Sequence, residues 1–222
     1  LFRYWDKKYI VFEYKYQPLP NTSSITITKM STSDFDSMEC PLSNPTVHIT
    51  AHDATGKAVV HSSQSAPVTA FPDHKAILRT LYTTSSLPAN LNNNNDIKQH
   101  QAVLGSGELG IVKANGTVCR YVDFAPGNSG MMHRTQSLDY GIVLEGNVLM
   151  ELDDGTNTPL GPGDVAVQRA TMHAWKNARE TRWARMVFVL QDCEPVVVGG
   201  ERFKEDLGAG VAIFPSSGND GH

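Results

Sequence analysis

Between residues 100 and 190 the chain is a series of short, β-branched or alternating segments cut apart by turn dipeptides. The segments are 108–112, 117–124, 138–144, 147–152, 164–168, 173–177 and 183–190. The cuts are Asn115-Gly116, Pro126-Gly127, Glu145-Gly146, Asp154-Gly155 and Pro162-Gly163. Asn-Gly and Asp-Gly steps suit tight hairpins, because both central residues need positive φ. Val148, Met150 and Leu152 share one face of a strand, and Val165 and Val167 share one face of another. Punctuation this regular predicts an all-β antiparallel sandwich or barrel.

Upstream, residues 46–51 and 57–61 form a second alternating pair around Asp53-Ala-Thr-Gly56, and the pattern predicts a hairpin. His48, His52 and His61 fall there as solvent-facing strand residues. Residues 62–73 are expected as a Ser/Pro-rich connector, 76–82 as a short element, and the run from Asn92 to Asn95 as a surface loop. After Val198 the chain thins into a Gly/Ser tail, with one helical turn expected near 202–206. The domain division is a 1–29 extension, a 30–99 hairpin and loop region, a 100–195 barrel and a 196–222 tail. The extension is crowded with aromatic residues, and two readings of it stay open. It is non-native, with Met30 the natural start, or Ile10, Phe12, Tyr14 and Tyr16 add an edge strand to this or another subunit.

Charge narrows the function classes. Nineteen Lys and Arg against 23 Asp and Glu give a net charge of −4, without the basic excess that binding to nucleic-acid phosphates requires. No window approaches 18 consecutive apolar residues, so no membrane partner is expected. Cys40, Cys119 and Cys193 are too far apart for a zinc pair and too few for a disulfide framework, which suits a reducing, cytoplasmic location.

Candidate chemistry lies in two stretches. The first runs from Gly127 through His133, Thr135 and Asp139 to Gly146; the second runs from Pro162-Gly-Asp164 through Gln168, Ala170, His173 and Trp175 to Asn177. Residues 133, 135, 137 and 139 have one strand parity, so they can face one interior. A bland alternative makes His133 and His173 hydrogen-bonding interior residues, with Asp139 paired to Arg134 or a hydroxyl. Arg120 and Asp123 have opposite parities and should not both face inward. Tyr140, Gln168 and Trp175 are candidates for the mouth or wall of a pocket.

These stretches resemble the two motifs of the cupin superfamily. Its first motif has five residues between a Gly and His-x-His, three or four between that and a Glu, and six between the Glu and a second Gly. Gly127, His133, Asp139 and Gly146 fall at those spacings; Ala170, His173 and Asn177 fit the end of the second motif. The chain departs from the pattern where Thr135 takes the second histidine's place and Asp139 the glutamate's. Gln168-Arg-Ala170 replaces the usual Pro-x-Gly, one residue closer to Gly163.

The resemblance implies a double-stranded β-helix barrel of jelly-roll type, with an N-terminal extension. It also implies a divalent transition metal (Fe, Mn, Ni or Zn) on His133, Asp139 and His173, which would serve as the catalytic set. Two imidazoles and one carboxylate leave coordination positions open for substrate. Arg120, Thr135, Tyr140, Gln168 and Trp175 would bind a small-molecule substrate. A homodimer is implied as well. The implied reaction is proton transfer, elimination or decarboxylation on an oxygenated organic acid or polyketide-like molecule. A dioxygenase using Fe(II) and a metal-free, non-catalytic binder are the alternatives.

Overall fold

The computed structural model describes residues 40–71, 75–208 and 214–220, all within the compact unit Ser31–His222. The expectations for 1–29 lie outside the described residues.

Two antiparallel sheets face each other. The larger has six strands: β3 (Val68–Phe71), β4 (Ala76–Thr84), β5 (Thr117–Phe124), β11 (Ala184–Asp192), β6 (Ser137–Glu145) and β9 (Val165–Arg169), in that spatial order. The smaller has β10 (His173–Asn177), β7 (Val148–Leu152) and β8 (Asn157–Leu160). Their inner faces meet in a core that includes Val118, Phe124, Val143, Met186 and Phe188 from the large sheet and Val148 and Trp175 from the small one. Each such side chain stabilises the fold by roughly 1.5–3 kcal/mol on burial. The arrangement is a jelly-roll sandwich, as the resemblance implies, with two separate sheets rather than one closed ring.

Strand alternation is kept where one face is buried: β6 reads buried at 137, 139, 141 and 143. The large sheet draws on β3 and β4, so the sandwich includes residues well before 100. Glu145-Gly146 is not a hairpin turn; it carries the chain from the large sheet to the small one. A Cβ at Gly146 would stand 2.7 Å from the Trp183 carbonyl oxygen, and φ there is +77°, so glycine alone fits this corner. The Asn115-Gly116 turn is as tight, since a Cβ on Gly116 would overlap the Thr84 carbonyl.

Other expectations are corrected. Residues 62–73 are not a plain connector, because β2 (Ala58–Ser65) completes the hairpin with β1 (Thr46–His52) and Val68–Phe71 joins the large sheet. The asparagine run opens α1 (Asn95–Ser106). Asn93 and Asn94 hold φ near +55°, a left-handed conformation that asparagine tolerates, and Gly107 ends the helix at φ +70°. Its buried positions are Ile97 and His100. With a histidine in one of them, the helical apolar pattern is weak. His100 docks by accepting the Thr83 backbone N–H at 3.1 Å and stacking on Tyr82.

Residues 108–112 are a loop, not a strand, although Ile111 and Val112 are buried. The tail forms a hairpin of β12 (Val196–Val198) and β13 (Glu201–Phe203) around Gly199-Gly200, in place of a helical turn. Asn219 then ties the terminal segment down through the Gln136 carbonyl at 2.9 Å and Asp192 Oδ1 at 2.6 Å.

The outer face of the large sheet buries a charged cluster. Asp123 is fully enclosed, paired through Oδ2 with Arg79 and through both oxygens with Arg185, at 2.5 and 2.8 Å. The segment at 40–44 covers it: Ser43 accepts from Arg185 at 2.9 Å and Asn44 from Arg79 at 3.0 Å.

Candidate active site

A cavity opens between the sheets, walled mainly by apolar side chains from β4, β5, β10 and β11. Five polar residues reach it: Arg120, Asn128, His133, Asp139 and His173. The parity reading of β5 holds, because Arg120 lines this cavity while Asp123 sits on the opposite face.

The two motifs are joined by backbone. His133 N–H donates to the His173 carbonyl and His173 N–H to the His133 carbonyl, both at 2.9 Å. This bridge sets the imidazole rings 4.4 Å apart, with Trp175 edge-on to His173 at 5.3 Å. Nδ1 of His133 lies 2.9 Å from the Met131 carbonyl, which can only accept. Nδ1 therefore carries the hydrogen and Nε2 keeps its lone pair. Nδ1 of His173 is held between the Thr171 carbonyl at 2.9 Å and the Gln168 amide at 2.8 Å. Burial lowers both histidines' pKa values; the neighbouring His133 adds to the effect on His173, which falls to about 3. Both rings are neutral at neutral pH.

Asp139 is 3% exposed and Arg120 5%. Burial raises the Asp139 carboxyl to about 7, against the opposing pull of the Ser137 and Thr135 hydroxyls and the Arg120 charge. Burial also lowers Arg120 to about 10, so it stays cationic. Arg120 donates Nη2–H to the Gly110 carbonyl at 3.1 Å. Its Nε and the Oδ1 of Asp139 have no hydrogen-bond partner. An unpaired buried polar group costs about 1–3 kcal/mol; Glu205 Oε2 and Asn219 Oδ1 are also unpaired, but of the four only the Arg120 and Asp139 atoms belong to residues lining the cavity.

The expected substrate-binding residues divide. Arg120 and Trp175 line the cavity. Thr135 is wholly buried and accepts from the Ser137 hydroxyl at 2.8 Å, acting behind Asp139. Gln168 is buried behind His173 rather than at the mouth; its amide also donates to the Thr171 carbonyl at 2.5 Å. Tyr140 is 40% exposed on the outer face, because adjacent strand residues point opposite ways and Asp139 takes the inner side. Arg134 does not pair with Asp139; it donates to the Lys204 carbonyl and covers the Phe203 ring.

Sequence reasoning missed Phe71 and Phe214, whose rings stack 5.1 Å apart on the cavity wall. The only signal for Phe214 was that no other aromatic residue follows Phe203.

Of the three implied metal ligands, the structure brings two together, His133 and His173. Among the described residues no three His, Cys, Asp or Glu side chains come together as a cage. The two imidazoles are adjacent, but Asp139 stands apart and a guanidinium shares the cavity, where it would repel a dication.

No family model matches the chain. Among known proteins it is 38% identical over 180 residues to phomopsin biosynthesis cluster protein D of Diaporthe leptostromiformis, covering 80% of this chain and 94% of the relative. It is 40% identical over 170 residues to the cupin-domain-containing oxidoreductase fogC of Aspergillus ruber, covering 75% and 82%. The cupin-domain-containing oxidoreductase virC of Hypocrea virens is 38% identical over 161 residues, covering 71% and 81%. Solved structures with a likeness include an RmlC-like cupin from Shewanella frigidimarina (12% identity, TM-score 0.37, 58% of this chain and 86% of that one). Another is the polyketide cyclase RemF from Streptomyces resistomycificus (18%, TM-score 0.36, 64% and 73%). With relatives this similar over most of their own length, and with both motifs joined at one cavity, the chain belongs to the cupin family.

Proposed function

We propose that this cupin is a small-molecule enzyme that moves a proton beside a carbonyl group, with Asp139 as acid–base and Arg120 holding the oxygen. One observation carries the reading: a buried carboxyl and a buried guanidinium line the same apolar cavity, and each has a polar atom without a partner. A carboxyl whose pKa lies near neutrality can both take and return a proton.

In the forward step the Asp139 carboxylate takes the proton from the carbon next to the carbonyl. The C–H electron pair moves onto the carbonyl oxygen, and Arg120 Nε–H stabilises the resulting enolate. Asp139 then returns its proton to another carbon, which is an isomerisation, or to a hydroxyl on the next carbon, which leaves as water. Neither outcome needs an oxidant. Neutral His133 supplies an Nε2 acceptor on one wall, and the aromatic side chains exclude water. Relatives named for a phomopsin biosynthesis cluster support a role in small-molecule biosynthesis.

The test is deuterium exchange in heavy water, read by NMR, on a panel of aryl and alkyl ketones. The expected result is exchange beside the carbonyl that falls by about 10²–10⁴-fold in Asp139→Asn. Exchange no faster than in buffer for every ketone would refute the reading.

A second reading is an iron-dependent oxidation. It is favoured by the paired histidines and by the word oxidoreductase in the names of fogC and virC. Metal content of the purified protein, beside a His133→Ala/His173→Ala variant, separates the two. About one equivalent bound by the parent and lost in the variant would favour oxidation. A homodimer and a cytoplasmic location complete the proposal. Exposed Tyr140, Leu144, Val165 and Val167 on the outer face of β6 and β9 support the first, and three free thiols the second. Sedimentation at monomer mass would remove the dimer.

A further inference from the structure

The two partnerless atoms also restrict what the cavity accepts. Arg120 Nε–H can only donate, so it needs an acceptor on the ligand. Oδ1 of the Asp139 carboxylate needs a donor. They do not satisfy each other. Arg120 is on β5 and Asp139 on β6, with β11 between them; Phe188 lies beside Arg120, and Leu190 beside Asp139. That places their Cα atoms roughly 12 Å apart, with both side chains on the cavity side of the sheet. The gap suits one compact polar head with an acceptor at one end and a hydroxyl at the other. Apart from His133, His173 and Asn128, the rest of the wall is apolar, and Trp175, Phe188, Phe71 and Phe214 offer contact to the skeleton that carries this head.

We infer that the ligand is a β-hydroxycarbonyl compound on an apolar or aromatic skeleton, its carbonyl oxygen on Arg120 Nε–H and its hydroxyl on Asp139 Oδ1. The inference rests on the proton-transfer reading and refines it. With the hydroxyl on the second carbon from the carbonyl, loss of the intervening C–H proton to Asp139 leaves an enolate. That enolate expels the hydroxyl, protonated by Asp139, as water. One C–H and one C–O bond break, one C=C bond forms, and no electrons leave the substrate.

The test compares two ketones on the unmodified full chain by calorimetry: the acetone aldol of benzaldehyde, and benzylacetone, which has the same skeleton without the hydroxyl. The aldol is expected to bind at least about tenfold more tightly, because a site built around a hydroxyl leaves its polar group unpaired when the hydroxyl is missing. In Asp139→Leu that advantage disappears, and in Arg120→Met both ketones weaken. Equal affinity, or no binding of the aldol, overturns the inference; the free atoms would then be served by solvent. Because the ligands are compared on the unmodified chain, the test stands even where a variant fails to fold. Release of benzalacetone, followed by its absorbance, reports the chemistry separately. A hydroxyl preference without conversion refutes proton transfer and leaves the ligand class standing. Deuterium exchange on benzylacetone with no hydroxyl preference does the reverse.

Discussion

Strand β5 carries two buried charges three residues apart, on opposite faces of the same sheet, and they are treated in opposite ways. On the outer face, Asp123 meets two guanidinium groups, which are held in turn by Ser43 and Asn44. On the inner face, Arg120 has one carbonyl for a partner and faces a carboxyl it does not touch. Full pairing marks a cluster that fastens the 40–44 segment to the sheet. Incomplete pairing in a cavity marks a site that waits for a ligand. Burial alone does not tell the two apart; satisfied hydrogen bonding does.

That contrast can be broken from either side. The largest effect is expected at the paired cluster: Asp123→Ala leaves two guanidiniums buried without a counter-charge and should cost roughly 3–5 kcal/mol, read as a lower urea midpoint. A loss under about 1 kcal/mol would mean that the cluster is solvated and the contrast false.

Asp139→Asn should do the opposite, ending turnover without costing stability. Its carboxyl pKa rises from 3.8 to about 7 on folding, so between those values the folded chain keeps a proton that the unfolded chain releases. Stability therefore falls as pH climbs through that window. His133 and His173 act in the other direction. The folded chain leaves them neutral below 6.5, down to about 3 for His173, so stability falls as pH drops. In the parent the two slopes oppose each other over their shared range. Removing the carboxyl should make Asp139→Asn more stable than the parent at about pH 8, with a larger loss between about pH 8 and pH 4. Parallel stability curves for the two proteins would mean that Asp139 is ionised like a surface carboxylate.

The smallest effect is at Ala170, where the family's motif has glycine. Ala170 is buried at φ +50°, a strained conformation for any residue with a Cβ. Ala170→Gly should raise stability by roughly 0.5–1 kcal/mol, visible as a higher Tm with the site intact. A destabilised variant would show that the methyl's packing outweighs the backbone strain.

Much of this layout was legible in the chain. β5 and β10 begin and end where alternation and turn residues put them, and opposite parity separated Arg120 from Asp123. What escaped was whatever local pattern does not encode. The helix α1 buries a histidine where a leucine would have announced it. Gln168 has the right parity to face inward, yet its amide is taken up by His173 Nδ1 and the Thr171 carbonyl. Phe214 arrives from a glycine-rich tail whose return to the cavity depends on long-range bonds such as Asn219 to Gln136. Asp139 was legible as a position but not in its role, because its missing partner and raised pKa depend on the strands around it.

The reciprocal bridge between residues 133 and 173 gives the site a hinge-pin made only of peptide groups. Its length owes nothing to the imidazoles it presents, so either ring can be exchanged while the two stretches stay in register. Descendants of such a chain are free to change reagents one at a time on an unchanged mount.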